Sequence, residues 1–227
     1  MILHIPHSSD KFPDDTRIPI GVREHTDWFT DKIFDKRFSM VYPYSRYYCD
    51  VERLLGEDGL IQQIDTDGSV YRAVDEEKRI EILKSYTDWH ALLKTNAECQ
   101  ASYFDNVVVV DCHSFSASQL GLYESDVPDI CIGHNEHNAL PNEVMLEVAR
   151  IYRDNFYSVE FNYPYANAIV ASDLPNVYSI MLEVNKRLYM DESRNTQTLH
   201  DGWERLRDVN RLVLSYLSKF ELNLSEP

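Results

Sequence analysis

Two histidines and a glutamate stand beside apolar runs, where metal binding or acid–base chemistry could use them. His7 follows the apolar run Ile2–Pro6 and opens the polar segment Ser8-Ser9-Asp10. A neutral imidazole there is a ligand for zinc and similar ions, or else a loop histidine that partners a helix cap. His113 comes two residues after Asp111, just past the run Val107-Val108-Val109-Val110. A carboxylate so placed fixes the tautomer of a ligating imidazole by accepting its other ring N–H. The alternative is an aspartate that caps a turn beside a polar histidine. Glu183 interrupts an apolar stretch that runs from Tyr178 to Val184. Buried, it has to be paired, ligating or catalytic; on an alternating strand it points to solvent.

The remaining candidates surround these three. Asp27 and Asp31 are four apart and share one face if their segment is helical. One of them completes a two-histidine, one-carboxylate metal site, or both complement a helix dipole. Arg46 and Arg53 bracket Asp50. Such a pair clamps a substrate carboxylate or forms a surface salt-bridge cluster. Asn185 and Arg187, just after Glu183, carry the same two readings. His4 is three residues before His7, so strand alternation sends it to the opposite face and a structural role. Cys112 beside His113 suggests a thiol–imidazole dyad, but neighbours on an extended chain point to opposite faces.

The pattern of apolar residues gives the elements that would hold these groups. Strands are expected over residues 2–6, 39–44, 60–64, 107–110, 129–132, 159–163 and 177–184. Pro43 makes the second of them an edge or a strand end. Helices are expected over 24–38, 75–104, 141–157 and 199–220. The second of these presents Ile80, Leu83, Trp89, Leu92 and Leu93 as its apolar face. Strands alternating with helices predict an α/β sheet covered on both faces, with ligands at the carboxyl ends of the strands. The segments 6–9, 111–114 and 182–185 all fall at such ends.

Bulk properties narrow the function classes. The 227 residues fit one α/β domain, and 44% hydrophobic residues suffice for a core. A net charge of −16 repels phosphate backbones, so nucleic acid is a poor partner. A small anionic substrate then needs local cations, which draws attention to the sparse arginines. Four cysteines without metal-site spacing fit a reducing, cytoplasmic setting. Neither a signal peptide nor a membrane span is expected.

Taken together, the segments resemble the N-formylglutamate amidohydrolase family. The matching pieces are His4-Ile5-Pro6-His7-Ser8-Ser9 with Pro13, His25-Thr26-Asp27 with Asp31, and Arg46 to Arg53. They continue with Asp111-Cys112-His113-Ser114, Asn162-Tyr163-Pro164-Tyr165, and the stretch from Met181 to Asp191. The resemblance implies a three-layer α/β/α fold of the phosphorylase/hydrolase type, related to zinc carboxypeptidases. It implies a divalent metal, zinc above all, and hydrolysis of a C–N amide bond in a small anionic N-acyl amino acid. Carried over by position, His7, His113 and Asp27 are the metal ligands and Glu183 is the general base and acid. Arg46, Arg53 and Asn185 are the substrate-binding candidates. The family's glycine after His-Ser is Ser9 here, its Gly-rich segment is Ala166-Asn167-Ala168, and its Asp-Leu-Asn-Arg motif is Asp50-Val51-Glu52-Arg53. These departures touch the substrate side more than the metal side. Other substrates (another N-acyl amino acid or a small peptide) therefore stay open, as does a non-catalytic binding protein with the same fold.

Overall fold

The computed structural model describes residues 1–34, 39–192 and 198–222. Six strands form one sheet: β1 (Ile2–Ile5), β2 (Ser39–Val41), β3 (Val107–Phe115), β4 (Ile130–Gly133), β5 (Val159–Phe161) and β6 (Val177–Asn185). Their spatial order is β2-β1-β3-β6-β4-β5. All neighbouring pairs are parallel except β4 and β6. A short ribbon of β7 (Met190–Asp191) and β8 (Thr198–Leu199) stands apart. The helices are α1 (Gly21–His25), α2 (Thr30–Ile33), α3 (Glu76–Ala101), α4 (Asn142–Asp154) and α5 (Gly202–Glu221).

The centre of the sheet is β3 and β6, and alternation along them separates two cores. Val108, Val110 and Cys112 of β3 pack with Ile180, Leu182 and Val184 of β6 under α4 and α5. Val107 and Val109 turn the other way and pack with Leu93 and Ala97 of α3. The four valines are 0% exposed, and each fully buried valine contributes roughly 1.5–3 kcal/mol. Because β3 is buried on both faces, it reads as a continuous apolar run. The period of two then puts Asp111 and His113 on the α3 side, beyond the packed part of that layer.

Register sets the site. In the β1–β3 pairing His4 lies beside Asp111, and in the β3–β6 pairing His113 lies beside Glu183. The expected α/β sheet with helices on both faces is the observed fold. No helix among the described residues is long and apolar enough to cross a membrane.

Several elements differ from the sequence reading. The helix expected over 24–38 is two short ones, α1 and α2, separated by Phe29 in the left-handed region (φ 65°); residues 35–38 lie outside the described residues. Asp27 and Asp31 therefore share no helix face. The strand expected over 60–64 is an irregular segment with an isolated bridge from Ile64 to Val70 around the turn at Gly68. On α3 the buried side chains are Ile82, Tyr86, Trp89, Leu93 and Ala97, whereas Ile80 and Leu92 are exposed. Aromatic residues at 86 and 89 fill the space over β1 and β2, so the apolar stripe follows Ile82 rather than Ile80. The strand placed at 107–110 continues through polar residues to Phe115, because Asp111 and His113 are paired within the fold rather than left to solvent.

Candidate active site

A cavity of about 890 Å³ opens at the carboxyl ends of β1, β3 and β6. Its floor carries His7, Asp27, His113 and Glu183. Each arrives by a different route. His7 follows β1, and His113 and Glu183 are side by side on β3 and β6. Asp27 sits in the break between α1 and α2. Its N–H donates to His7 O at 2.9 Å, and its own carbonyl accepts from Thr30 Oγ1 at 2.9 Å. All four are buried.

Hydrogen bonds fix where the ring protons lie. The indole Nε1–H of Trp89 donates to His4 Nε2 at 3.0 Å. An indole only donates, so His4 carries its proton on Nδ1, which faces Asp111 Oδ1 at 2.9 Å. The same carboxylate oxygen faces His113 Nε2 at 3.0 Å, which puts a proton there. In the neutral ring His113 Nδ1 is then a lone pair, yet it faces Asp27 Oδ2 at 3.1 Å, acceptor against acceptor. His7 follows the same logic. Its Nε2 pairs with Asp50 Oδ1 at 2.8 Å, so the proton lies on that side. Its Nδ1 is buried without a hydrogen-bond partner and lies 3.7 Å from Asp27 Oδ2.

With both rings neutral, three lone pairs converge, from His7, Asp27 and His113, with ligand atoms all within 4.8 Å of one another. Two imidazoles and one carboxylate form a donor set that suits zinc with a position left open. Each of the two rings is backed by an aspartate on its far nitrogen, an arrangement that orients histidines where they ligate a metal. The donors therefore fit a divalent cation. His4, Glu52 and Asp111 form a second cluster of potential ligands. There the Trp89 contact protonates His4 Nδ1, so this cluster buttresses the first and offers no nitrogen to an ion.

The electrostatics agree with a cation-seeking floor. Burial opposes ionisation of Asp27, but His113 and His7 outweigh it and hold its pKa well below the usual carboxylate range. Burial likewise works against a charged His113, and Asp111 and Asp27 outweigh it, raising its pKa well above the ordinary value. Asp50 is held low, against burial, by Arg46 and His7. Glu183 goes the other way: burial, helped by Asp27 and Asp111, pushes it up to about 8 against His113 and Arg46. One of its oxygens, Oε2, is buried with no hydrogen-bond partner.

The substrate-side candidates fall into two groups. Arg46 and Arg53 line the cavity. Arg46 donates from Nε (3.2 Å) and Nη2 (2.8 Å) to Asp50 Oδ2, while Arg53 Nε stands 3.8 Å from the same oxygen. Asn185 does not line the cavity. Its amide donates to Glu124 Oε2 and Pro128 O, and its Oδ1 accepts from Arg187 N, so it caps the 3-10 turn Lys186–Leu188. Arg187 is spent on Glu124 and Asp129. Cys112 faces the α4–α5 core, away from His113, and burial raises its thiol far above the ordinary value. Asp50, Trp89 and His4 complete the site's support without having been singled out for it. Asp50 had a signal in its two flanking arginines. Trp89 had none, because its partner is 85 residues away.

The model of the family described as N-formylglutamate amidohydrolase matches residues 1–190. No curated protein sequence matches at a significant level. Among solved structures, the N-formylglutamate amidohydrolase from Ralstonia eutropha JMP134 superposes with a TM-score of 0.83 at 19% identity, covering 97% of this chain and 93% of that one. The gene product Atu2144 from Agrobacterium tumefaciens superposes with a TM-score of 0.69 at 19% identity, covering 97% and 91%. At that identity the two structures speak for the fold.

Proposed function

The chain belongs to the N-formylglutamate amidohydrolase family, and from that premise we propose that it hydrolyses the C–N amide bond of a small N-acyl amino acid at a divalent metal site. His7, Asp27 and His113 hold the ion, with zinc best suited to two imidazoles and a carboxylate. The observation that carries this reading is the convergence of their three lone pairs beside a buried, half-unpartnered glutamate. Bound there, zinc supplies Lewis acidity toward an amide carbonyl and toward water.

The protein's own residues do the rest. Glu183 takes a proton from the attacking water and returns it to the leaving amine nitrogen. Its raised pKa suits the second task, and positive charge in the cradle lowers it toward the range the first one needs. Asp111 and Asp50 keep the two ring protons on the far side, so both lone pairs stay aimed inward. Arg53, with Arg46 behind it, holds the substrate carboxylate and sets the carbonyl in line with Glu183. Arg46 is already committed to Asp50, so it shapes the clamp more than it closes it.

The experiment has two arms. Purified protein should carry about one divalent ion, and a chelator should stop amide hydrolysis. Glu183→Gln should keep the ion and lose turnover by about 10²–10⁴-fold, the usual worth of a positioned proton donor. A metal-free protein of full activity sinks the metal, and a Gln variant of near-parental turnover sinks the role of Glu183.

A further inference from the structure

Within the amide-hydrolase reading, the cavity carries information about which amino acid is taken. Among the described residues, its lining holds two guanidinium groups, Arg46 and Arg53, and no lysine. Asp50 faces both of them, at 2.8 Å from Arg46 and 3.8 Å from Arg53. The cluster of two cations and one anion is left with a single positive charge, enough for one carboxylate. Apart from Asp27, Asp111 and Glu183, the remaining carboxylates of the lining are Glu52, 3.3 Å from His4 Nδ1, and Asp65, and a second substrate carboxylate has these to meet. Asp65 is already satisfied by the backbone N–H groups of Ile20 and Gly21. A like charge placed against them is repelled.

Among polar neighbours such as Gln62, Thr66 and Asn167, the lining also carries aliphatic side chains. Leu54, Ile64 and Val170 line the cavity while 69%, 59% and 43% exposed. Together they offer apolar surface that a ligand side chain could cover. The volume is also generous, near the top of the roughly 300–1,000 Å³ of ordinary small-molecule sites.

We propose that the site prefers N-acyl amino acids with one carboxylate and an aliphatic or aromatic side chain over the dicarboxylate N-formylglutamate. The α-carboxylate goes to Arg53, and the side chain covers Leu54, Ile64 and Val170. Glu52 is the residue that discriminates against a second negative charge.

The test is equilibrium binding at about pH 8.5, where the Glu52 carboxyl, raised to about 7, is ionised, to the metal-loaded Glu183→Gln protein, with N-formyl-leucine and N-formylglutamate as probes. N-formyl-leucine should bind at least about tenfold tighter, the scale of selectivity an apolar pocket provides. Glu52→Gln should narrow the gap by tightening N-formylglutamate alone. Leu54→Ser with Ile64→Ser should narrow it by weakening N-formyl-leucine alone. N-formylglutamate binding as tightly as N-formyl-leucine, or neither probe binding, overturns the preference. Turnover by the parent enzyme is read separately. N-formyl-leucine that binds tightly yet is never cleaved rejects the hydrolase reading while upholding the preference.

Discussion

The floor of the cavity and its mouth are made of different material. On the floor, the ring nitrogens of His4, His7 and His113 that point away from the ligand cradle each meet a fixed partner. Asp111 and Glu183 ride on the central strands, in register with His4 and His113. At the mouth, Arg53 has half its side chain in solvent, and Leu54 and Ile64 project from an irregular segment. That segment is held from behind by Arg72, whose guanidinium donates to the carbonyls of Tyr47, Tyr48 and Gln62. The difference separates two jobs. The proposed chemistry needs atoms placed to a fraction of an ångström, which paired strands provide for His113 and Glu183 and fixed hydrogen bonds for His7 and Asp27, whereas the proposed substrate contacts sit on loops that tolerate change.

The sharpest way to break the floor without touching the mouth is Asp111→Asn. One carboxylate oxygen receives the N–H groups of His4 and His113, and the other accepts Ile169 N at 3.1 Å. An amide serves one side only and sets its NH₂ against an N–H donor on the other. Metal affinity should fall by about 10–100-fold. Titration against a competing chelator measures it, and an unchanged affinity denies Asp111 its orienting role. Substrate-carboxylate binding, read with a metal-independent product such as the free amino acid, should stay within a few-fold.

Arg53→Ala is the mirror experiment. It should raise KM by about tenfold or more, the loss of one charge-assisted contact, with kcat and metal content little changed. A fall in kcat at constant KM would move Arg53 from the mouth to the chemistry.

Trp89→Phe tests a finer link. It keeps an aromatic ring against Tyr42 but removes the donor that fixes His4. The metal should bind a few-fold more weakly, within the range seen for residues that orient ligands. The ¹⁵N shifts of His4 should also report a mixture of tautomers. A single unchanged tautomer would show that Asp111 alone holds the ring.

The sequence made these two regions unequally legible. His7 and His113 follow apolar runs and Glu183 interrupts one, which makes them candidates, while their roles came from the family resemblance; Val107–Val110 announces the central strand. The valine run also shows where the reading stopped short. β3 extends five residues further because polar groups that find partners need no solvent. Asp27 was reachable by residue type, but its geometry was not, since it depends on a left-handed Phe29 that splits an otherwise helical pattern. Asn185 shows the converse error. Its neighbourhood to Glu183 suggested substrate contact, but after an odd residue on a strand the next but one again faces the same side, and the strand end carries it past the cavity into a cap. Contacts such as Trp89 to His4 depend on packing across layers and leave no local trace.

Glu52 joins the two regions, and pH exposes it. Burial and the neighbouring Asp111 push its carboxyl up to about 7, although its side chain is 22% exposed. The folded protein therefore keeps a proton that the unfolded chain releases near its ordinary value of 4.5. A raised carboxyl contributes stability below the unfolded pKa and loses it as pH climbs through the folded one. Asp50 and Asp111, held low, act in the opposite direction and lose their contribution only in acid. Metal-free protein should accordingly weaken from about pH 5 to pH 7, with Glu52 contributing at most ~1.4 kcal/mol per pH unit. Glu183, raised to about 8, adds to the same decline, so Glu52→Gln should remove about half of the slope and leave the acid limb unchanged. Denaturant unfolding at pH 5, 6 and 7 measures both limbs. A slope undiminished in the variant would assign the whole decline to Glu183, whose carboxyl burial also raises, and would place Glu52 with the solvated mouth instead of the dry floor.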